Sequence, residues 1–312
     1  MTTVTGPSFV SVGNVLIDHT YHLTNFPEPD GGAYIRSAER RLGGVENNVA
    51  TLVAGLGHSS GLVGRLGTDD EAKAVHELLD GSPVETTHLH EVPEVTTSYC
   101  LVLIDPQGRR TILGGGDSTL QLSLRDQERA YVDDAAVAFT TAYSPASVAD
   151  AIGASSTPLV YDLAGEFADL NQRGLDRATL GDLASSIDWF IGNERAIRSY
   201  LETTASPRAL IDELRERGFD RGAITRGEAG ASLFDHAEIV EIPAFDVDVV
   251  DETGAGDAFT AGLIHGVYFA DLNLERAGRF AAAMAARNCT VSGANDSPPT
   301  RDEVLDLLAS SG

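Results

Sequence analysis

Residues 251–257, Asp-Glu-Thr-Gly-Ala-Gly-Asp, are the segment best suited to chemistry, and an apolar, helix-compatible run follows them. The small residues Gly254, Ala255 and Gly256 let backbone N–H groups converge at a helix N-terminus, where the helix dipole favours an anion. Asp257 falls in the first turn, where a carboxylate can take the proton of an attacking hydroxyl. The segment therefore indicates an anion pocket beside a general base. The alternative is a glycine-rich turn whose aspartate caps the helix.

Two other segments place polar groups where a ligand would bind. Gly43 and Gly44 precede a predicted helix, and paired glycines let a ligand approach the backbone closely. Asn48, in the first turn, offers a donor and an acceptor to a hydroxyl. Asp18 follows the first predicted strand, and ligands of doubly wound sheets bind beyond the carboxyl ends of strands. Alone, these residues equally fit a plain helix start and a solvated loop aspartate.

A strand–turn–strand is predicted around residues 225–230, Thr-Arg-Gly-Glu-Ala-Gly. Such a turn can bend around the phosphates or the ribose of a nucleotide. A simple hairpin turn fits the same residues.

The elements that must position these segments are short apolar strands alternating with helical patterns. The strand candidates are 8–13, 62–64, 135–140, 158–161, 188–191 and 222–225. This alternation predicts one α/β domain over residues 1–312, with a doubly wound, mostly parallel sheet and helices on both faces. Segments 19–42 and 96–113 break the alternation and predict a small β-sheet lid over a cleft.

The composition limits the partners. The net charge is −25, from 47 acidic and 22 basic residues, and Lys73 is the only lysine. So acidic a surface repels phosphate backbones and anionic membranes, which argues against nucleic-acid and membrane partners, and it is typical of a halophile. Cys100 and Cys289 lie in no Cys-x-x-Cys or Cys/His cluster, so neither a disulfide framework nor a structural zinc is supported. With no long apolar run and no signal sequence, the chain is expected in the cytoplasm.

In this order and spacing, the segments resemble the ribokinase/PfkB carbohydrate kinase family, from residue 10 to about residue 300. The Asp-x-Thr-Gly-Ala-Gly-Asp segment resembles the C-terminal signature of that family, and Gly-Gly-x-x-x-Asn resembles its N-terminal signature. The resemblance implies a ribokinase-like fold. It also implies phosphoryl transfer from ATP, with Mg²⁺, to a hydroxyl of a sugar or sugar derivative.

The resemblance also implies a role for each matching position. Asp257 is the implied base, and the amides of Gly254, Ala255 and Gly256 are the implied anion hole for the γ-phosphate. The residues implied to hold the acceptor are Asp18, Gly43, Gly44 and Asn48. The residues implied to lie along ATP are Asn193, Thr225, Gly227 and Gly230. A monovalent cation, commonly potassium, is implied at Asp251 and Thr253.

Two positions depart from the family pattern. The magnesium-organising Asn-x-x-Glu becomes Asn193-Glu194-Arg195-Ala196 here, so either Glu194 substitutes or water-bound Mg²⁺ is held by ATP. Tyr143 stands where ribokinases often carry an acid, which argues against ribose itself as the acceptor. The missing acid also leaves open a non-catalytic sugar or nucleotide sensor.

The acceptor therefore stays open among three classes. They are a sugar or sugar acid, a nucleoside, and a phosphosugar such as ribose 1-phosphate. Arg36, Arg40 and Arg41 could clamp a substrate phosphate, or could be surface arginines of a lid strand. The family resemblance also implies a homodimer formed through the lid.

Overall fold

The structure is a computed structural model that describes residues 6–310. Within that range the strands are β1 (Phe9–Val12), β2 (Leu16–Leu23), β3 (Ile35–Gly43), β4 (Ser60–Leu66), β5 (Glu85–Glu91), β6 (Tyr99–Ile104), β7 (Arg110–Gly115), β8 (Val137–Thr141), β9 (Leu159–Asp162), β10 (Trp189–Asn193), β11 (Arg221–Thr225), β12 (Ala231–Asp235) and β13 (Glu238–Ile242). The α-helices of the same range are α1 (Val45–Gly55), α2 (Asp70–Leu79), α3 (Asp126–Asp133), α4 (Ala146–Gly153), α5 (Phe167–Gln172), α6 (Arg177–Leu183), α7 (Glu194–Leu201), α8 (Pro207–Glu216), α9 (Ala255–Ile264), α10 (Leu274–Cys289) and α11 (Arg301–Ser310).

Nine strands form one large sheet in the order β13-β12-β11-β10-β9-β8-β1-β4-β5. Strand β1 pairs in parallel with both β4 and β8, so the chain builds the sheet outward from β1 in two directions. Strands β12 and β13 run antiparallel at one edge. The predicted doubly wound, mostly parallel sheet is confirmed. Its order reverses between β1 and β8, where the crevice of such sheets opens.

Buried apolar side chains cover both faces of the large sheet. One cluster includes Leu52 of α1, Ala261 of α9 and Phe280 of α10, and the other includes Ile152 of α4 and Leu210 of α8. Burying one such large side chain contributes about 1.5–3 kcal/mol. Because helices cover both faces, the inner strands β1, β4, β8 and β9 are buried along their whole length rather than on alternate residues.

The small sheet has the order β3-β2-β6-β7 and forms the predicted lid. Strands β2 and β6 pair in parallel, while the outer strands β3 and β7 run antiparallel to them. The chain enters β2 almost directly from β1 and returns from β3 to α1, so the lid is joined to the large sheet at its point of reversal.

The structure differs from the sequence predictions in three places. The apolar pattern does not predict β5, because its sequence Glu-Thr-Thr-His-Leu-His-Glu contains only one apolar residue. Such a polar sequence can form a strand here because β5 lies at the edge of the sheet, with a single neighbouring strand. The helix-compatible run that follows residues 251–257 forms α9 and then a π-helical turn at His265–Phe269. Asp18, expected beyond the end of the first strand, lies within the second strand, because β2 already begins at Leu16.

Among the helices of residues 6–310, none combines the length and the apolar composition that crossing a membrane requires. The predicted single domain over 1–312 extends past the described residues at both ends, and it stays a prediction.

Candidate active site

The start of α9 has the backbone that the small residues predict. Gly254 is the N-cap residue, with a left-handed φ of 77°, and a Cβ there would lie 2.6 Å from the Ala294 backbone. Only glycine satisfies both conditions. The Ala255 N–H donates to the Glu252 carbonyl at 3.2 Å, while Gly256 faces open space. The first turn of a helix leaves N–H groups without intrahelical acceptors, so an anion is accommodated here.

Asp257 and Asn48 meet where α9 packs against α1. The Asn48 side-chain amide donates to the Asp257 carboxylate at 2.7 Å, and the Asn48 oxygen accepts from Asn295 at 2.8 Å. Burial raises the pKa of Asp257 to about 6, although the Asn48 hydrogen bond opposes this and the charge of Asp18 adds to it. A carboxylate with such a pKa is suited to general base catalysis near neutral pH. Asn48 therefore orients Asp257 directly.

Asp162 is a second carboxyl group beside Asp257 that no sequence motif indicates. It ends β9, accepts from the Ala164 N–H at 2.8 Å, and burial raises its pKa to about 7. Asp162 and Asp257 line one cavity of about 100 Å³, together with Gly192, Asn193, Thr225 and Gly256. The cavity thus joins the start of α9 to the ends of β9, β10 and β11.

Glu46 is a third buried acid at this end of the sheet, with no exposed surface. Its Oε1 accepts from the Thr141 N–H at 3.1 Å, the Thr141 hydroxyl at 2.8 Å and the Ser144 hydroxyl at 3.2 Å. Burial raises the pKa of Glu46 to about 7. Its Oε2 has no hydrogen-bond partner among residues 6–310. Glu46 therefore fixes the first turn of α1 to the end of β8, at the point where the sheet order reverses.

The acceptor residues of the prediction lie at the junction of lid and core. Asp18 sits opposite Arg41 on β3 and beside Cys100 on β6. Burial raises the pKa of Asp18 to about 6, against the opposing charge of His19. A Cβ on Gly43 would overlap the Asp18 carboxylate, so the glycine makes room for it. The charge of Asp18 also raises the pKa of Asp257, so the two acids are near enough for their charges to interact.

Gly44, the second glycine of the pair, is required by the backbone conformation. Gly44 is the N-cap residue of α1 with a φ of 101°, and a Cβ there would overlap the Asn14 carbonyl. This close approach explains the glycine without any ligand.

The predicted ATP residues divide into two groups. Asn193 and Thr225 line the cavity of Asp257. The Asn193 oxygen also caps α7 by accepting from the Ala196 N–H at 2.9 Å. Gly227 and Gly230 shape the turn between β11 and β12, with φ angles of 56° and 82°, and do not line that cavity.

The Glu194 carboxylate accepts two hydrogen bonds from the Arg198 guanidinium, at 2.6 and 2.9 Å. This i,i+4 ion pair holds Glu194 along the surface of α7. Its carboxylate is therefore engaged within the helix rather than directed at the cavity.

Asp251 and Thr253 form a compact turn before α9. The Asp251 Oδ1 accepts from the Thr253 N–H at 2.9 Å and from its hydroxyl at 2.6 Å, and its Oδ2 accepts from the Gly293 N–H at 3.0 Å. Burial raises the pKa of Asp251, but these hydrogen bonds outweigh it and the pKa is lowered overall. Arg41 adds its charge, and Arg110 donates to the Thr253 hydroxyl at 3.4 Å.

Of the three arginines before Gly43, Arg40 pairs with Glu71 at 2.9 Å. Arg41 pairs with Glu39 at 2.9 Å and with Asp296 at 3.3 Å, so it alone of the three reaches the loop beside α9. Arg36 is exposed on β3. The structure therefore does not gather these arginines into one clamp.

A larger cavity, of about 400 Å³, lies between the lid and α2. Its lining includes His19, Tyr21 and Tyr99 of the lid and Asp69, Asp70 and Glu71 near the start of α2. None of the residues around Asp257 contributes to it. The larger cavity is therefore not the one that contains the candidate base Asp257.

Known proteins resemble the chain over nearly its whole length. A family model described as pfkB family carbohydrate kinase matches residues 7–301. An ATP-dependent ribose-1-phosphate kinase of Halopiger xanaduensis is 29% identical over 96% of this chain and 97% of its own. A nucleoside kinase of Methanothermobacter thermautotrophicus is 26% identical, over 95% and 94%. The solved structure of Arabidopsis thaliana ribokinase with ribose and ATP superposes with a TM-score of 0.84 at 25% identity, covering 97% of this chain and 99% of that one.

Proposed function

Since the chain belongs to the pfkB family of carbohydrate kinases, we propose that it transfers the γ-phosphoryl group of ATP to a hydroxyl of a sugar or sugar derivative, with Asp257 as the base. The predicted family, ribokinase-like fold and class of enzyme, a phosphotransferase acting on a hydroxyl, are confirmed by the comparisons. The roles of individual residues are our proposal.

One observation carries the proposal for Asp257. Its carboxylate stands beside the Gly254–Gly256 turn at the start of α9, in a cavity shared with strand ends, and its pKa is raised to about 6. In phosphoryl transfer the protein mainly positions the reactants and neutralises charge. Asp257 would accept the proton of the attacking hydroxyl while N–H groups of the turn hold the γ-phosphate oxygens. Asn48 keeps the carboxylate in place.

The lid supplies the other wall of the acceptor site. Asp18, on lid strand β2, would accept hydrogen bonds from acceptor hydroxyls, and Gly43 leaves room for its carboxylate. Gly44 would contribute only through the backbone turn that begins α1. Closing the lid over the cleft would exclude water, which limits wasteful hydrolysis of ATP.

Asn193 and Thr225 would lie along ATP in the same cavity, and Gly227 and Gly230 would shape the turn that follows. Bound Mg²⁺ would neutralise the charge of the transferring phosphates. The residues fit this ion, because Asp162 brings a buried carboxylate to the cavity and Mg²⁺ prefers carboxylate ligands. We therefore assign Asp162 rather than Glu194 to magnesium, since Glu194 is held by Arg198.

A monovalent cation at Asp251 and Thr253 stays a proposal. The lowered pKa of Asp251 favours it, whereas the guanidinium groups of Arg41 and Arg110 already bring positive charge to the turn. The test compares turnover in KCl with turnover in tetramethylammonium chloride at equal ionic strength. Equal turnover would remove the cation from the account.

A phosphosugar or sugar acid is the second candidate acceptor, and Arg173 favours it. Its guanidinium lies over the Tyr143 ring, 5.3 Å from the ring centre, and reaches the lid at Gly114. Its charge acts on the thiol of Cys100, which neighbours Asp18 on the lid. Arg173 also pairs with Asp169 at 3.1 Å, so an anionic group on the acceptor would bind this cation in competition with Asp169. A relative named ribose-1-phosphate kinase is consistent with this choice.

The acceptor is tested by ADP release in molar KCl with Mg²⁺ and ATP. The panel contains hexoses, pentoses, 2-keto-3-deoxy acids, nucleosides and ribose 1-phosphate. We expect one class to stimulate ADP release strongly. Stimulation by none of them would favour the sensor alternative over a kinase.

We also propose a homodimer formed through the lid. Four large apolar side chains are exposed on or next to its outer strands: Tyr34 just before β3, Ile35 on β3, and Ile112 and Leu113 on β7. Sedimentation in molar KCl tests this, because the variant Ile112→Glu should weaken a lid-mediated dimer. A monomeric wild type would reject it. The cytoplasmic location stays a prediction.

A further inference from the structure

We propose that His88, His90 and Glu128 form a binding site for Zn²⁺, remote from Asp257, that links the edge strand β5 to helix α3. The three side chains place one donor atom each within 4.8 Å of one another. Two imidazoles and a carboxylate are a donor set that zinc commonly takes in proteins.

The sheet itself brings the donors together. His88 and His90 are two residues apart on β5, so they point to the same face. In the parallel register β5 sets His90 beside Arg65 of β4. Helix α3 covers this face and directs Glu128 inward, where the residue is 1% exposed. The His90 Nε2 lies 3.5 Å from the Glu128 Oε1.

The histidines have unused coordination capacity. The Nδ1 of His88 is enclosed and has no hydrogen-bond partner within residues 6–310. The Tyr131 ring packs against the His88 ring, with centres 4.3 Å apart, and the Tyr131 hydroxyl donates to Glu85 at 2.9 Å. The His90 side chain is 34% exposed, which gives an ion and a water ligand access from solvent.

Arg65 sets the strength of the site. Its guanidinium donates to the Glu128 Oε2 at 2.8 Å and lies 2.7 Å from the Oε1, and the Arg125 N–H donates a second hydrogen bond to the Oε2 at 2.8 Å. These contacts fix the carboxylate and keep it ionised, as the hydrogen-bond partners of metal ligands commonly do. Because Arg65 also neutralises Glu128, we expect weaker binding than in a zinc site closed by four protein ligands.

Small side-chain movements would complete the site. Zinc–nitrogen bonds of about 2.0 Å in a tetrahedron place donors about 3.3 Å apart. The most separated donors must therefore approach by roughly 1.5 Å, which rotation of a half-exposed imidazole allows. The bound ion would join an edge strand, which has a single neighbour in the sheet, to the helix that covers it.

The test is a calorimetric titration of EDTA-treated, full-length protein with Zn²⁺ in KCl and a non-coordinating buffer. We expect wild type to bind one more equivalent than the double variant His88→Gln/His90→Gln. The matched control is His76→Gln, because His76 is an exposed histidine of α2 outside the cluster. Equal zinc stoichiometry in wild type and the double variant would overturn the proposal.

A stability measurement gives a second readout. At a hundredfold excess of Zn²⁺ over the dissociation constant, the Tm of wild type and His76→Gln should rise by about 5 °C. That of the double variant should not rise. Should the double variant fail to fold, His90→Gln alone replaces it, with binding at least about tenfold weaker. Co²⁺ should give wild type the visible absorption of a four-coordinate site, and its absence would contradict the assignment.

Discussion

Glu46 and Glu128 are two glutamates with almost no exposed surface, 0% and 1%, and their environments shift their pKa values in opposite directions. Burial raises the pKa of Glu46 to about 7, because only hydroxyl and amide groups oppose it. Burial also acts to raise the pKa of Glu128, but hydrogen bonds and charge from Arg65 outweigh it and lower the pKa. The guanidinium of Arg65 is therefore a main difference between the two sites, and Glu128 also lies less deep in the protein than Glu46, which acts in the same direction.

The presence or absence of an arginine partner also distinguishes the region around Asp257 from the region around Glu128. Asp18, Asp162 and Asp257 resemble Glu46, since burial raises the pKa of each and none forms an ion pair with arginine within residues 6–310. An arginine beside Asp257 would hold its pKa far below the range of a useful base. Buried acids without an arginine partner therefore gather at the proposed catalytic cleft, whereas Glu128, which has one, lies near the edge of the sheet.

Removing the arginine that pairs with Glu128 tests the edge region, and we expect the largest change in stability there. Arg65→Met leaves the Glu128 carboxylate buried and unpaired, so unfolding free energy should fall by about 3–5 kcal/mol. Denaturant unfolding measures it, with the exposed Arg129→Met as the control. In Arg65→Met/Glu128→Met most of the loss should return. A loss no larger than that of the control would show that Arg65 does not compensate Glu128.

The Mg²⁺ dependence of turnover distinguishes the Asp162 carboxylate, which lines the cavity, from the Glu194 carboxylate, which pairs with Arg198. Asp162→Asn should raise the Mg²⁺ concentration for half-maximal turnover by about tenfold or more, because a ligand is lost. Glu194→Gln should leave it within about twofold, since Glu194 is paired with Arg198. The reverse pattern would return magnesium to Glu194.

The dependence of stability on pH tests Glu46. A carboxyl group whose pKa rises on folding binds more protons in the folded state, so its contribution is present below the unfolded pKa and is lost as pH rises. Between pH 4.5 and about 7 the loss from Glu46 is at most about 3 kcal/mol. Unfolding free energies of Glu46→Gln should therefore decline less than those of wild type over this range. Parallel pH curves would contradict a raised pKa.

The smallest predicted effect is the influence of Asp18 on Asp257. The charge of Asp18 raises the pKa of Asp257, so the acid limb of kcat/KM, expected near pH 6, should move down in Asp18→Asn. A shift of roughly half a pH unit is expected, together with weaker acceptor binding. An acid limb at the same pH in Asp18→Asn and wild type would show that the charge of Asp18 does not act on Asp257.

These two regions also differ in how far the sequence predicts them. Gly254 and Asp257 are found because the residues of the pocket are contiguous and precede a helical run. Asp162 and Glu46 are single acids at a strand end and a helix start, brought together only by the sheet order, in a chain with 47 acidic residues. A contiguous motif can be recognised in a single sequence, whereas a cluster of residues brought together by the fold leaves no local sequence pattern.

The histidine cluster is not evident in the sequence for a related reason. His88-x-His90 is a short alternation on a strand that the apolar pattern does not predict, and Glu128 lies far along the chain on α3. The pairing of Glu194 with Arg198, by contrast, follows from their i,i+4 spacing on a helix, which is a local feature of the sequence.

The claim that Asp257 is the base is tested most directly by single-turnover phosphoryl transfer in Asp257→Asn, alongside the binding of ATP. The account predicts ATP binding within about threefold of wild type and a transfer rate lower by about 10³-fold, because positioning persists while the proton acceptor is lost. The exposed Asp302→Asn should behave as wild type. Near-normal transfer by Asp257→Asn would contradict the account.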